Sequence, residues 1–141
     1  MTLRVAPVDP NHIQQVWPKV VDFIKSAIDK GTTEETRNYN EHHIQQYLVA
    51  GQWMLIVAVD EENTIHGACT VSFMNYPLHR VAFVTAIGGK LISNEDTFEQ
   101  LKNICKQNGA TKIQGYGRES IVKLWSRYGF EPRSTLVEIK I

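Results

Sequence analysis

Three strand-length apolar runs stand in a row in the middle of this chain, separated only by turns. They constrain its fold more than any other feature. Residues 53–59 are almost continuously apolar and end at Asp60-Glu61-Glu62-Asn63, a turn signal. Residues 65–74 read as the antiparallel partner. Asn75 to Arg80, with Pro77, break the chain again, and residues 81–87 form a third strand closed by Gly88-Gly89.

Helical patterns flank this block. Residues 2–8 alternate and read as a short first strand. Asp9-Pro10 is a helix start, with a capping carboxylate and then a proline where no N–H is needed. Ile13, Val16, Trp17, Val20, Val21, Ile24 and Ile28 recur at helical spacing. Pro18 inside that run predicts a kink or a split, and Gly31 ends it. Asn40 caps a second helix with Ile44, Tyr47 and Leu48 as its stripe, and Gly51 suits its exit.

Beyond the third strand, Ser93 to Asp96 reads as a capping box, Ser93 capping and Asp96 reaching back. Phe98, Leu101, Ile104 and Cys105 then face inward, and Asn108-Gly109 stops the helix. Residues 112–116 are a short strand, and residues 119–128 a fourth helix with Gly129 at its end. Residues 136–141 alternate and predict a last strand. The order β-α-α-β-β-β-α-β-α-β predicts one α/β (α+β) domain over residues 1–141, with a mixed sheet and helices on both faces.

The 141 residues suffice for one core that needs no staples. Lys plus Arg and Asp plus Glu number 15 each, so no basic excess draws in nucleic acid or an anionic membrane. Cys69 and Cys105 have neither redox nor zinc spacing and read as two buried thiols, in keeping with a reducing compartment. The first nine residues hold no apolar secretion signal, and no run reaches the length of a membrane helix, so the expected location is cytoplasmic.

The stretch Leu124-Trp125-Ser126-Arg127-Tyr128-Gly129-Phe130-Glu131 resembles the fourth helix and exit of the GNAT superfamily of acyl-CoA N-acyltransferases, and the element order fits as well. Trp17-Pro18, Tyr76-Pro77, Gly88-Gly89 and Gly117-Arg118 resemble a narrower group, small GNAT-like proteins encoded by tailed phages. The first resemblance implies an acetyl-CoA site. The second implies a virion-associated protein, present in the host cytoplasm or the particle.

An enzyme of this kind needs a phosphate cradle, a proton donor and a base. The cradle would be a Gly-rich turn running into a helix N-terminus. At that junction stand Gly88, Gly89 and Lys90, without the family's signature, and the first helical turn carries Glu95 and Asp96, which take the place a phosphate would use. At the family's tyrosine donor stands Trp125, whose indole is no general acid. Tyr128 or Tyr116 could substitute. Arg118, between two glycines and a helix, is a candidate anion binder. His66 and His79 flank the central strands, and the adjacent His42-His43 share no face, so no metal site is expected.

Two expectations follow. In the first, the protein keeps the fold without acetyl transfer, uses no cofactor, and binds a protein partner or itself, with phage structural proteins as the partners the resemblance implies. In the second, it moves an acetyl group from acetyl-CoA to an amine through a divergent pyrophosphate loop.

Overall fold

A computed structural model describes residues 1–141. The chain runs β1 (Arg4–Val8), a 3-10 turn (Pro10–His12), α1 (Ile13–Gly31), α2 (Glu41–Val49), β2 (Trp53–Val59), β3 (Ile65–Asn75), β4 (Arg80–Gly89), α3 (Glu95–Gln107), β5 (Lys112–Gly115) and α4 (Glu119–Ser126). The strands form one sheet in sequence order. β1 to β4 pair antiparallel, and β5 joins β4 in parallel after the α3 crossover.

Each face of the sheet has its own core. Ile13, Trp17, Val20, Ile24 and Ile28 of α1, with Ile44 and Leu48 of α2, pack on Leu55, Val57 and Ala68. Leu101, Ile104 and Cys105 of α3 pack on the other face against Val5, Ile56, Cys69, Val71 and Ala82. Burying each such Val, Leu or Ile contributes about 1.5–3 kcal/mol. The two faces alternate along the strands, as Leu55 and Val57 go one way and Ile56 the other.

Three local expectations change. Pro18 does not split α1, which runs in one piece from Ile13 to Gly31. The proline is exposed in the helix's second turn, so only one backbone hydrogen bond is lost, while the buried stripe on the far side holds the helix. Asn94, not Ser93, caps α3: its side chain accepts from the Thr97 N–H at 2.9 Å. Asp96 turns instead to Gln100, whose Nε2 donates to its carboxylate at 2.9 Å.

The third change is at the C-terminus. Residues 130–141 form no strand, although the preceding order is as the sequence predicts. β5 is only four residues long and offers few ladder bonds to hold a tail. Leu136, Val137, Ile139 and Ile141 are left between 68% and 114% exposed.

The sheet's two edges differ. At β1, Gln100 of α3 takes the place of a neighbouring strand. Its Oε1 accepts from the Val5 N–H at 2.8 Å, and its Nε2 donates to the Leu3 carbonyl at 3.1 Å. No side chain of this kind covers β5, whose residues bond in sheet fashion to β4 alone.

Candidate functional site

β4 and β5 are the only parallel neighbours, and they stay together for four residues, Val81 to Val84 opposite Lys112 to Gly115. Thr85 is a bulge: Val71 faces Val84 and Thr70 faces Ala86, so nothing lies opposite Thr85. Beyond it β4 continues to Gly89 without β5. A crevice at the carboxyl ends of diverging parallel strands is where open α/β sheets bind ligands.

Polar groups converge on the bulge. The Thr70 and Thr85 hydroxyls lie 2.7 Å apart, and the Thr85 hydroxyl also donates to the Thr70 carbonyl at 3.0 Å. The Tyr39 hydroxyl donates to the Thr85 carbonyl at 3.0 Å. Burial, reinforced by nearby Tyr116, holds the Tyr39 phenol above its ordinary pKa. Tyr39 also meets Trp53 edge-on, and Tyr47 stacks on that indole at 4.6 Å. The sequence reading missed Tyr39. The available signal was a lone aromatic in an otherwise polar loop.

The expected site residues divide. Tyr116 follows the end of β5, 72% exposed, its ring edge-on to Phe83 at 5.2 Å. Tyr128 stacks on Phe98 of α3 at 5.1 Å, part of an aromatic cluster with Phe130 and buried Trp125. That cluster anchors α4 to α3. Arg118 points its Nη1 to within 3.5 Å of the Lys30 carbonyl, at the electronegative end of α1.

Gly88 and Gly89 lie inside β4, paired with Ala68 and Gly67. What approaches them is α1. A β-carbon on Gly88 would lie 2.5 Å from the Phe23 carbonyl oxygen, and one on Gly89 2.7 Å from the Phe23 ring. The Lys90 side chain is exposed while its N–H donates to the His66 carbonyl at 2.8 Å.

The start of α3 is satisfied in part from within the chain. Thr97 Oγ1 accepts from the N–H groups of Ser93 (3.0 Å) and Asn94 (3.2 Å), and its hydroxyl donates to the Asn94 carbonyl at 3.0 Å. Asn94 Oδ1 takes the Thr97 N–H, and the Asn94 carbonyl takes that of Phe98 at 3.1 Å. Glu95 and Asp96 add negative charge on top.

The histidines have partners of their own. His66 Nε2 lies 2.8 Å from Asp60 Oδ2, and that contact leads the causes holding the Asp60 carboxyl below the usual range. His79 Nδ1 is 2.9 Å from Thr111 Oγ1. His43 completes the α2 capping box. No three His, Cys, Asp or Glu side chains converge as metal ligands. A separate cleft of about 310 Å³, lined by Trp53, Met54, Phe73, Arg80 and Asn108 among others, lies at the opposite end of β4.

By sequence, the chain matches no family model and no curated protein. Its fold does match solved structures. A predicted acetyltransferase from Clostridium acetobutylicum, solved with acetyl-CoA, aligns over 99% of this chain and 96% of its own at a TM-score of 0.66 and 16% identity. An aminoglycoside acetyltransferase from an uncultured soil metagenomic sample aligns over 100% and 99% at 0.71 and 15%. A Trypanosoma brucei acetyltransferase aligns over 99% and 100% at 0.61 and 10%. The chain has the GNAT fold.

Acetyl-CoA is the group this fold implies. Its pyrophosphate requires free N–H groups at the β4–α3 junction. Here Lys90, Ser93, Asn94 and Thr97 have theirs committed to the chain itself, whereas those of Leu91, Ile92, Glu95 and Asp96 donate to no group of the chain. The Glu95 and Asp96 carboxylates set like charge against an anion there.

Proposed function

We propose that this chain uses the GNAT fold to bind and assemble with protein partners, and does not transfer acetyl groups. One observation carries the reading: the start of α3 is capped by its own Asn94 and Thr97 and fronted by Glu95 and Asp96. Such a terminus leaves an anion only the N–H groups of Glu95 and Asp96, beside their own like-charged carboxylates. The resemblance to phage-encoded chains makes virion proteins the partner class, met in the host cytoplasm. A gene set among ordinary cellular operon genes, with no head or tail genes nearby, would remove that part.

A second reading is N-acetyl transfer from acetyl-CoA to an amine. The end of the β4–β5 pairing favours it, with Tyr116 exposed just past β5 and the Tyr39 hydroxyl on the Thr85 carbonyl. Tyr116 is then the phenol placed to serve as proton donor, and Tyr128, stacked on Phe98, is not.

Calorimetry with acetyl-CoA and with CoA, backed by thermal shift, separates the two. The expected result is no heat of binding at millimolar ligand. A micromolar Kd, with stabilisation rising as mass action requires, would overturn the first reading and make Tyr116→Phe the next variant.

A further inference from the structure

Two strands of unequal reach open a cleft at one end of the sheet. β1 stops at Val8, opposite Leu55, and the chain turns away at Asp9-Pro10. Trp53 and Met54 run on past it and pair with β3 alone, Trp53 opposite Ser72 and Met54 opposite Val71. Beside this overhang lies the cleft of about 310 Å³, at the far end of β4 from Gly88 and Gly89. Successive strand residues face opposite ways, so Trp53 gives the cleft an apolar wall on the α2 side, and Met54 with Phe73 gives one on the α3 side. The volume is at the low end of the range for small-molecule sites, about 300–1,000 Å³.

One cation lines this cleft. Arg80 opens β4, and its guanidinium lies over the Phe73 ring, 4.7 Å from the centroid. Its Nε donates to the Asn108 carbonyl at 2.9 Å, and its Nη1 to Asn75 Oδ1 at 2.8 Å. These contacts hold the group in one orientation, so little side-chain freedom is left to lose on binding. Nη2 donates to no group of the chain, and no ion pair includes Arg80. No carboxylate lines the cleft. Asp9, between lining residues Val8 and Pro10, turns its own carboxylate to the Asn11 N–H at 2.8 Å. Gln52 adds an exposed amide at the rim.

We propose that this cleft binds a small monocarboxylate with a flat apolar body, an arylalkanoic acid, its carboxylate on Arg80 Nη2 and its ring between Trp53 and Met54. One fixed cation in an otherwise uncharged lining matches one negative charge. A phosphate dianion would keep a charge unopposed there. The apolar walls call for an apolar body, and an indole and a thioether both pack well on an aromatic ring. Tyr47, stacked on the Trp53 indole at 4.6 Å, and Tyr39, edge-on to it at 5.3 Å, hold that wall in place. The cleft shares no residue with the β4–α3 junction, so the proposal stands whether or not the chain takes acetyl-CoA.

Titration of isotope-labelled protein with hydrocinnamate, followed through its amide and indole N–H resonances, tests this. Saturable shifts should gather at the Trp53 indole and at Gln52, Met54 and Arg80, and leave the Trp125 indole of α4 in place. Hydrocinnamamide has the same shape without the charge. It should bind about ten- to a hundredfold more weakly, the range for a hydrogen bond to a charged group. That comparison uses the unaltered protein, so it decides even where a variant fails to fold. Arg80 also ties the end of α3 to the β3–β4 turn, so Arg80→Gln should lower the melting temperature, and in the folded variant acid and amide should bind alike. No saturable shift at millimolar acid, shifts centred on Trp125, equal binding of acid and amide by the unaltered protein, or a preference for the acid that survives in Arg80→Gln would each overturn the proposal.

Discussion

A β-carbon on Gly88 would stand 2.5 Å from the backbone carbonyl of Phe23, so α1 rests on β4 where the strand has no side chain. The contact is backbone to backbone and cannot be relieved by a rotamer change. Gly88→Ala should therefore cost about 1–3 kcal/mol, the range for overpacking a closed interior. Urea unfolding would measure it. A fully stable alanine variant would mean that α1 can slide.

Gly89 is tighter still. Its φ of +66° is in the left-handed region, and a β-carbon would meet the His66 carbonyl at 2.5 Å. From the sequence, Gly89→Glu looks like a clean probe of cofactor binding. In the structure that substitution should unfold the protein, visible as loss of the cooperative thermal transition, so CoA binding is better tested on the unaltered chain.

The α3 cap ranks three substitutions. Asn94→Ala should cost about 1 kcal/mol, as loss of an N-cap does. Thr97→Val removes a buried oxygen that accepts two N–H bonds and donates one, and should cost about 1–3 kcal/mol. Ser93→Ala should stay within about 0.5 kcal/mol. Thermal unfolding of the three gives the order, and a costly Ser93→Ala would return the cap to Ser93.

Asp60 links stability to pH. Its carboxylate takes the His66 ring nitrogen on one oxygen and the Glu62 and Thr64 N–H groups on the other, which lowers its pKa on folding. A lowered folded pKa gives stability that is present above the ordinary carboxylate value of about 3.9 and is lost as pH falls through the folded value. The melting temperature should therefore fall more steeply with acid in the unaltered protein than in Asp60→Asn. Parallel curves would show that the pair contributes nothing.

Burial pushes the Cys105 thiol up to about 11, and pushes Cys69 higher, with Cys105 adding to the effect. Neither should react with a thiol reagent at neutral pH faster than the protein opens. Labelling followed against urea should track unfolding. A fast-reacting thiol in the native protein would contradict this packing.

Much of the fold is legible because it depends on periodicity. The α1 stripe repeats every three to four residues, and the three central strands are strand-length apolar runs bounded by turn signals. The α3 cap was harder: Ser93 and Asn94 are both good caps, and only the burial of Thr97 decides between them. Gly88 and Gly89 read in the sequence as a phosphate cradle, whereas what comes close to them in the structure is Phe23, 65 positions away from Gly88. The Thr85 bulge leaves no mark in composition, so Tyr39's role at its carbonyl was hidden as well. The tail shows the opposite case, in which the alternation is plain and the structure forms no strand.

Gln100 also sets the valence of the molecule. A sheet open at both edges can be extended from either side and grows into a fibre. With Gln100 holding Leu3 and Val5, β1 is blunted, and β5 is the one edge left open to a further strand.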